Sequence, residues 1–408
     1  MRVNPERVQR VSAWWRTELV ALRTSPARGA RVARWLFDRP SVALLPAAAI
    51  GPGLFGAAIP WGDAGWFREA GLSMLGPGFF DVFSAAGLQI GPVYLLLVGA
   101  LAAVVDLLSL PALFTVAAVQ SVGLTVYTLF LVRRFARELG AAPLPAQWGV
   151  GVPVVFFGVL SESIGNGHPE EFLLALLLAH GVLVSRHGRP AAFGGILGAA
   201  VGLKLWAVLG APVVLLDRRW RSVLVAGSIA VAMTLAWYLP FHLAGEVNTF
   251  DFSWGTGPAP FGLRAVGGAL SGWGFRLVQA AVVIALGALV AWRWPGSGLG
   301  VVLTVVTVRV VLAPMLQMYY TIPFVVVALL WLWTAPSRSG TAWRIASWPA
   351  TLLAMLGPYV VDLAVRLPVT HIAMTIATVA IVRADHRSAS LGPDGKVPGE
   401  EIEVNRTR

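Results

Sequence analysis

The chain has 408 residues, 57% of them hydrophobic and 12% charged, with a formal net charge of +11 and no cysteine. Soluble domains carry roughly 25% charged residues, so a water-soluble globular fold is excluded; so is a membrane β-barrel, whose segments would alternate apolar and polar residues. The missing cysteines remove disulfides, thiolate nucleophiles and thiolate-bound metals, and the basic excess is arginine beside apolar runs rather than a patch interleaved with base-stacking aromatics, so no nucleic-acid partner is expected.

Residues 1–39 hold nine arginines and no continuous apolar core, so no cleavable signal peptide is expected. Val8, Val11, Trp15, Leu19 and Leu22 recur at helical spacing among Arg7, Arg10, Arg16 and Arg23. That pattern predicts a helix lying on the inner leaflet, with a solvated basic tail as the plainer reading. The first span, about 41–60, then acts as an uncleaved anchor and leaves residues 61–92 outside. This loop carries Asp63, Arg68, Glu69 and Asp81 among aromatic residues and is too apolar to be solvated, so it predicts one or two short helices on the outer leaflet. Arg133, Arg134 and Arg137 mark a return inside. A span takes about 20 residues, so 93–132 is expected to cross once and to dip in partway once.

Spans at about 147–162 and 169–185 flank a polar outer turn containing Glu162, Asn166, His168, Glu170 and Glu171. Residues 190–217 read as a hairpin of two short helices with Lys204 near its apex, and 222–240 as a span leading to an outer loop, 241–275, that contains His242, Glu246, Asp251, Trp254 and Arg264. Further spans are expected near 276–292, 297–313, 320–335, 345–360 and 368–383. The sum is an all-α transmembrane bundle (40–383) of about 10–12 spans or half-spans with short outer interfacial helices. A basic segment (1–39) precedes it and a disordered tail (384–408) follows, both termini cytoplasmic and the protein in the plasma membrane. No internal repeat of the kind found in two-halved transporters is visible.

An ionisable side chain in or beside an apolar run is costly and marks a functional position. Asp63, within Trp61-Gly62-Asp63-Ala64-Gly65-Trp66, stands where a general base would: at the membrane–water boundary, beside two glycines and two tryptophans able to stack on a sugar. The plainer reading is a helix N-cap flanked by interfacial tryptophans. Glu170 and Glu171 follow Pro169 at a helix start, where carboxylates favour the dipole, but Asn166 and His168 make the cluster more polar than capping needs. The spacing matches no two-histidine metal site, and no metal or other cofactor is expected. Lys204, the one lysine in the membrane region, is set in Gly202-Leu203-Lys204-Leu205-Trp206, too far into apolar sequence for simple snorkelling. Arg309 is similarly placed. Tyr319 and Tyr320 sit at an outer helix break with Pro314 and Gln317 and, taken singly, read as aromatic-belt residues. Asp106 receives no role.

These features resemble the GT-C superfamily of membrane glycosyltransferases, and within it the actinobacterial polyprenyl-phosphate-mannose-dependent mannosyltransferases. The likeness runs over most of the membrane region on short motifs: Asp63 soon after the first span, a polar turn opening a span (here Gly165-Asn166-Gly167-His168-Pro169-Glu170-Glu171), an Ala/Gly-rich helix from Phe193 to Lys204, and the Tyr319-Tyr320 pair. The polar turn departs from the family's Gly-Gln-x-Asn kind, and Gly91-Pro92-Val93-Tyr94 stands where the family often has Tyr-Pro-Pro. The resemblance implies inverting transfer of a sugar, mannose by analogy, from a polyprenyl-phosphate donor to an envelope lipid or glycan on the extracytoplasmic face. Asp63 would be the base. Lys204, Arg309 and His168 would face the departing phosphate, and Glu69, Asp81, Glu170 and Glu171 would bind sugar hydroxyls, with Arg68, Tyr319 and Tyr320 also in the substrate site. A transporter or lipid flippase is the alternative, but should place its charges near mid-bilayer; a scaffold without chemistry has little use for Asp63, His168 and Lys204 together.

Overall fold

The computed structural model describes residues 24–25, 27–58, 62–253, 272–313, 317–335, 341–360 and 363–390. Expectations for the amphipathic stretch around Val8–Leu22, for Trp61, Trp254, Arg264 and Pro314, and for the tail beyond 390 fall outside them. Among the described residues the fold is entirely helical. A short helix, α1 (Arg28–Phe37), leads into the first long apolar helix, α2 (Pro40–Ala58). The next segment holds α3 (Ala64–Ser73) and a 3-10 turn at Val82–Ser84, which are the short helices expected there. The stretch read as one crossing and one dip divides into α4 (Pro92–Leu107), 16 residues, and α5 (Ala112–Glu138), 27 residues.

α6 (Pro143–Phe156) and α7 (Val159–Gly165) make one path bent by 41°. The bend sits at Gly158, whose φ of +85° is a left-handed conformation natural to glycine. α8 (Pro169–Arg186) follows, then α9 (Pro190–Leu203). After α9 the chain breaks at Lys204 in extended conformation (φ −162°, ψ 128°) and continues as a 13-residue 3-10 helix, Leu205–Asp217. The two-helix hairpin expected over 190–217 is therefore present, with Lys204 at its break. At about 2.0 Å per residue a 3-10 helix reaches farther than an α-helix of equal length, which lets this short segment cover more depth. The remaining helices are α10 (Trp220–Ala244), α11 (Trp273–Arg293), α12 (Gly298–Val311), α13 (Ile322–Thr334), α14 (Thr341–Val360) and α15 (Leu363–Ser390).

Four of these helices, α2, α5, α10 and α11, are long and apolar enough to cross a membrane, and the bent α6–α7 path makes a fifth. Others, α4, α9, α12 and α13 among them, are apolar but shorter. The packing suits a lipid solvent. α13 is apolar all round, and both it and α12 are almost wholly buried at the centre, against α8. Leu224 and Leu235 of α10 and Val278 and Leu289 of α11 are instead exposed on the outside of the bundle.

Helix ends gather by chemistry. At one end His187 approaches Glu138 at 4.0 Å, Arg186 donates to the carbonyl of Gly296, and Arg218 donates to that of Trp292. Ser297 and Trp331 donate to the two carboxylate oxygens of Asp385 at 2.7 and 2.8 Å. Arg133, Arg134 and Arg137, in the last two turns of α5, and Arg189, just ahead of α9, lie at this same end. The opposite ends of these helices carry the site described next.

Candidate functional site

The polar turn between α7 and α8 is locked onto the start of α3 by backbone contacts. The Asp63 amide donates to the Asn166 carbonyl at 3.2 Å. A Cβ on Gly62 would strike the backbone of Gly165 and Asn166, and one on Gly167 would strike Ala64 and the Asp63 carbonyl carbon. Gly167 is also left-handed, with φ +78°. So Gly62 lets two loops close on each other. Asp63 precedes α3 at its N-cap position, yet its side chain makes no capping bond. It turns instead to His168: Oδ2 lies 3.0 Å from Nε2.

From Asp63 a line of alternating charge runs into the protein. His168 Nδ1 meets Glu170 Oε1 at 2.7 Å. Lys204 Nζ lies 2.8 Å from the same oxygen and 3.0 Å from Glu171 Oε1. Arg309 grips Glu171 with two nitrogens at 3.1 and 3.3 Å, and Trp206 Nε1 donates to Glu171 Oε1 at 3.1 Å. Aromatic faces cover the cations: Tyr319 stacks on His168 with centroids 3.8 Å apart, and the Arg309 guanidinium lies 4.0 Å from the Trp206 ring centroid and 4.9 Å from that of Tyr320. Carboxylates on both ring nitrogens make the imidazolium the fitting form of His168, since only it donates from both. Burial pulls its pKa down, but the Glu170 carboxylate and the hydrogen bonds to Asp63 and Glu170 outweigh burial and nearby Lys204, and the net direction is up from 6.5.

Lys204, Arg309 and Trp206 also line a cavity of about 330 Å³ with Gln89, Arg276, Gln279 and Tyr320, its remaining wall being apolar and including Leu205, Leu209, Trp273 and Leu277. Arg276 Nη1 donates to Gln279 Oε1 at 2.9 Å, and Gln279 Nε2 donates to the Arg309 carbonyl at 2.8 Å. A neighbouring cavity of about 290 Å³ shares Gln89 and Leu205 and is walled by Phe83, Tyr238, Phe241 and Phe250, with His242 at its edge.

The structure thus brings together Asp63, His168, Glu170, Glu171, Lys204, Arg309, Tyr319 and Tyr320. Three expected members lie elsewhere. Arg68 binds Asp106, Nη2 to Oδ1 at 2.7 Å, which gives Asp106 a structural partner and removes Arg68 from the cluster. Glu69 and Asp81 are exposed, and no hydrogen bond joins them to it. Glu170 and Glu171, expected at sugar hydroxyls, are completely buried and hold the cations in place. Among the described residues no three-ligand His, Asp and Glu group is disposed to bind a metal. Arg276, Trp206 and Gln279 escaped sequence reading. The available signal for Arg276 was a lone arginine in the first turn of an apolar helix that already has Arg293 at its other end.

No protein-family model matches this chain, and no curated protein matches it.

Proposed function

We propose that the chain is an inverting membrane glycosyltransferase of the GT-C type. It moves a sugar, mannose by the resemblance described above, from a polyprenyl-phosphate donor to an envelope lipid or glycan. The proposal includes about 10–12 spans or half-spans, a plasma-membrane location, cytoplasmic termini and arginine-rich turns facing the cytoplasm. The Asp63 end then faces outward.

The observation that carries this reading is the joining of Asp63, through His168 and Glu170, to a cation-lined cavity with apolar walls. The reaction needs a base for the acceptor hydroxyl and cations for the departing phosphate. Asp63 accepts the hydroxyl proton while that oxygen attacks the anomeric carbon; the bond from this carbon to the phosphate oxygen breaks, and the polyprenyl phosphate leaves with the electron pair. Attack from the face opposite the leaving group inverts the centre. His168 engages Asp63 through Oδ2, and the Asp63 side chain is 47% exposed, so the carboxylate is oriented and still reachable. An imidazolium partner weakens a carboxylate as a base, which is tolerable where the sugar develops oxocarbenium character before the acceptor proton moves. The second cavity suits the apolar part of an acceptor. A transporter reading is less favoured because the charges gather at helix ends rather than halfway along them.

The test is transfer of radiolabelled sugar from polyprenyl-phosphate mannose to envelope lipid by the purified protein in nanodiscs. Transfer by the native chain and none by Asp63→Asn supports the reading. Equal transfer by both removes Asp63 as base.

A further inference from the structure

In α1 (Arg28–Phe37) only Ala30 of ten residues is buried. The two sides of this helix differ in chemistry. Arg28, Arg31 and Arg34 recur every third residue along one side, and Gly29, Val32 and Leu36 take the i, i+3, i+7 spacing of the other. Val32 is 52% exposed and Trp35 is 47% exposed, so the apolar side is not spent on the bundle. The Arg39 guanidinium lies 5.2 Å from the Trp35 ring centroid. Residues 28–39 thus carry four arginines against one acid, Asp38.

The helix is also tethered. The Phe37 carbonyl accepts the Trp148 indole N–H at 2.8 Å, and the two rings stack with centroids 6.1 Å apart. Three positions after Phe37, Pro40 begins α2, which is long and apolar enough to cross a membrane. An exposed apolar side fixed beside the end of such a helix has acyl chains within reach. Arginines along the opposite side stay among headgroups, where their planar forks match phosphate oxygens.

We infer that α1 is a docking surface for an anionic phospholipid leaflet, with Val32 and Leu36 toward the acyl chains and Arg28, Arg31 and Arg34 among the phosphates. The choice of an anionic leaflet over a neutral one follows from the excess of arginine, since each basic side chain near such a surface adds to its attraction. The inference does not rest on the transferase reading; it needs only that α2 crosses the bilayer.

The experiment uses the full chain, which has no cysteine. One thiol is added as Val32→Cys and labelled with an environment-sensitive fluorophore. The protein is placed in nanodiscs of phosphatidylcholine, alone or mixed with phosphatidylglycerol, and acyl-chain spin-labelled lipids serve as quenchers. Quenching is expected to be at least about twofold stronger in the anionic discs and to weaken with added salt. A label at Ala27→Cys, exposed on the arginine side, should be quenched little in either. Arg28→Gln together with Arg31→Gln should return the label at position 32 to its behaviour in phosphatidylcholine. Equal quenching in the two discs overturns the anionic preference, and emission as in water in both overturns docking on lipid. A shielded label that no lipid quencher reaches also overturns it, because protein, from this chain or a second copy, then covers the face. Quenching unchanged by the two glutamines overturns the role of the arginines. The disc comparison uses one labelled protein and stands even where the glutamine variant fails to fold. Absence of sugar transfer by the native chain would remove the transferase reading and leave this result untouched.

Discussion

His168 Nε2 stands 3.0 Å from Asp63 Oδ2 although 105 positions separate them in the chain. That contact ties the outermost acid of the cluster to its buried interior, because the other nitrogen of the same ring is fixed by Glu170. Replacing Asp63 by Asn keeps the shape and removes the negative charge. We expect Asp63→Asn to lose sugar transfer by at least about 10²-fold, the lower range for a positioned general base, with thermal unfolding of the purified protein lowered only slightly, since His168 keeps its bond to Glu170. Radiolabel transfer and an unfolding curve on one preparation check both halves.

Lys204 bridges two completely buried carboxylates. Removing one partner of a buried ion pair costs about 3–5 kcal/mol because the other charge is stranded. Lys204→Met is therefore expected to lower the unfolding temperature sharply. The double variant Lys204→Met, Glu170→Gln should regain part of the loss. A double variant less stable than Lys204→Met alone would break the account.

Gly167 combines a left-handed backbone with direct contact against Ala64. An alanine there meets a conformational cost of about 1–2 kcal/mol and also pushes the two loops apart. Gly167→Ala should lengthen the Asp63–His168 contact and lower transfer, whereas alanine at Gly65, where nothing lies within 4 Å of the added carbon, should leave both unchanged.

His168 gives the stability of the fold a pH dependence of known sign. Its folded pKa lies above 6.5, so the native state holds the proton more tightly than the unfolded chain. The stabilisation is complete below about 6.5 and is lost as pH rises through the folded value. Unfolding temperatures of the native chain should fall with rising pH above neutrality relative to His168→Gln. A constant difference between the two across that range would refute the imidazolium assignment.

The lack of cysteine allows a direct test of orientation. Glu246→Cys and Ala142→Cys add a single exposed thiol at opposite ends of the bundle. In intact cells, an impermeant maleimide should label the first and spare the second. The reverse pattern would turn the proposed topology over.

Much of the fold was legible because apolar length is a one-dimensional property. The first span, the break at Lys204 and the late helices follow from runs of apolar residues and the arginines between them. The site was legible only as a set of costly residues. Lys204 and Glu170 stood out singly, but their pairing depends on how α8 packs against α9, which hydropathy does not encode. For the same reason Glu170 and Glu171 were assigned to sugar hydroxyls although they serve the neighbouring cations, and Arg68 was placed with the site although it belongs to Asp106. Arg276 went unread because a lone arginine in the first turn of a span looks like ordinary interfacial decoration until α11 is set beside α12.

The ion pairs also impose an order on biogenesis. A ribosome delivers Glu171 to the translocon 138 positions ahead of Arg309, but only a short interval ahead of Lys204, which pairs with the adjacent Glu170 at a separation of 34. His168 thus emerges just ahead of the two acids and Lys204 soon after them, so both acids meet a cation while the hairpin is nascent, whereas the arginine arrives late and joins an arrangement whose other members are already made.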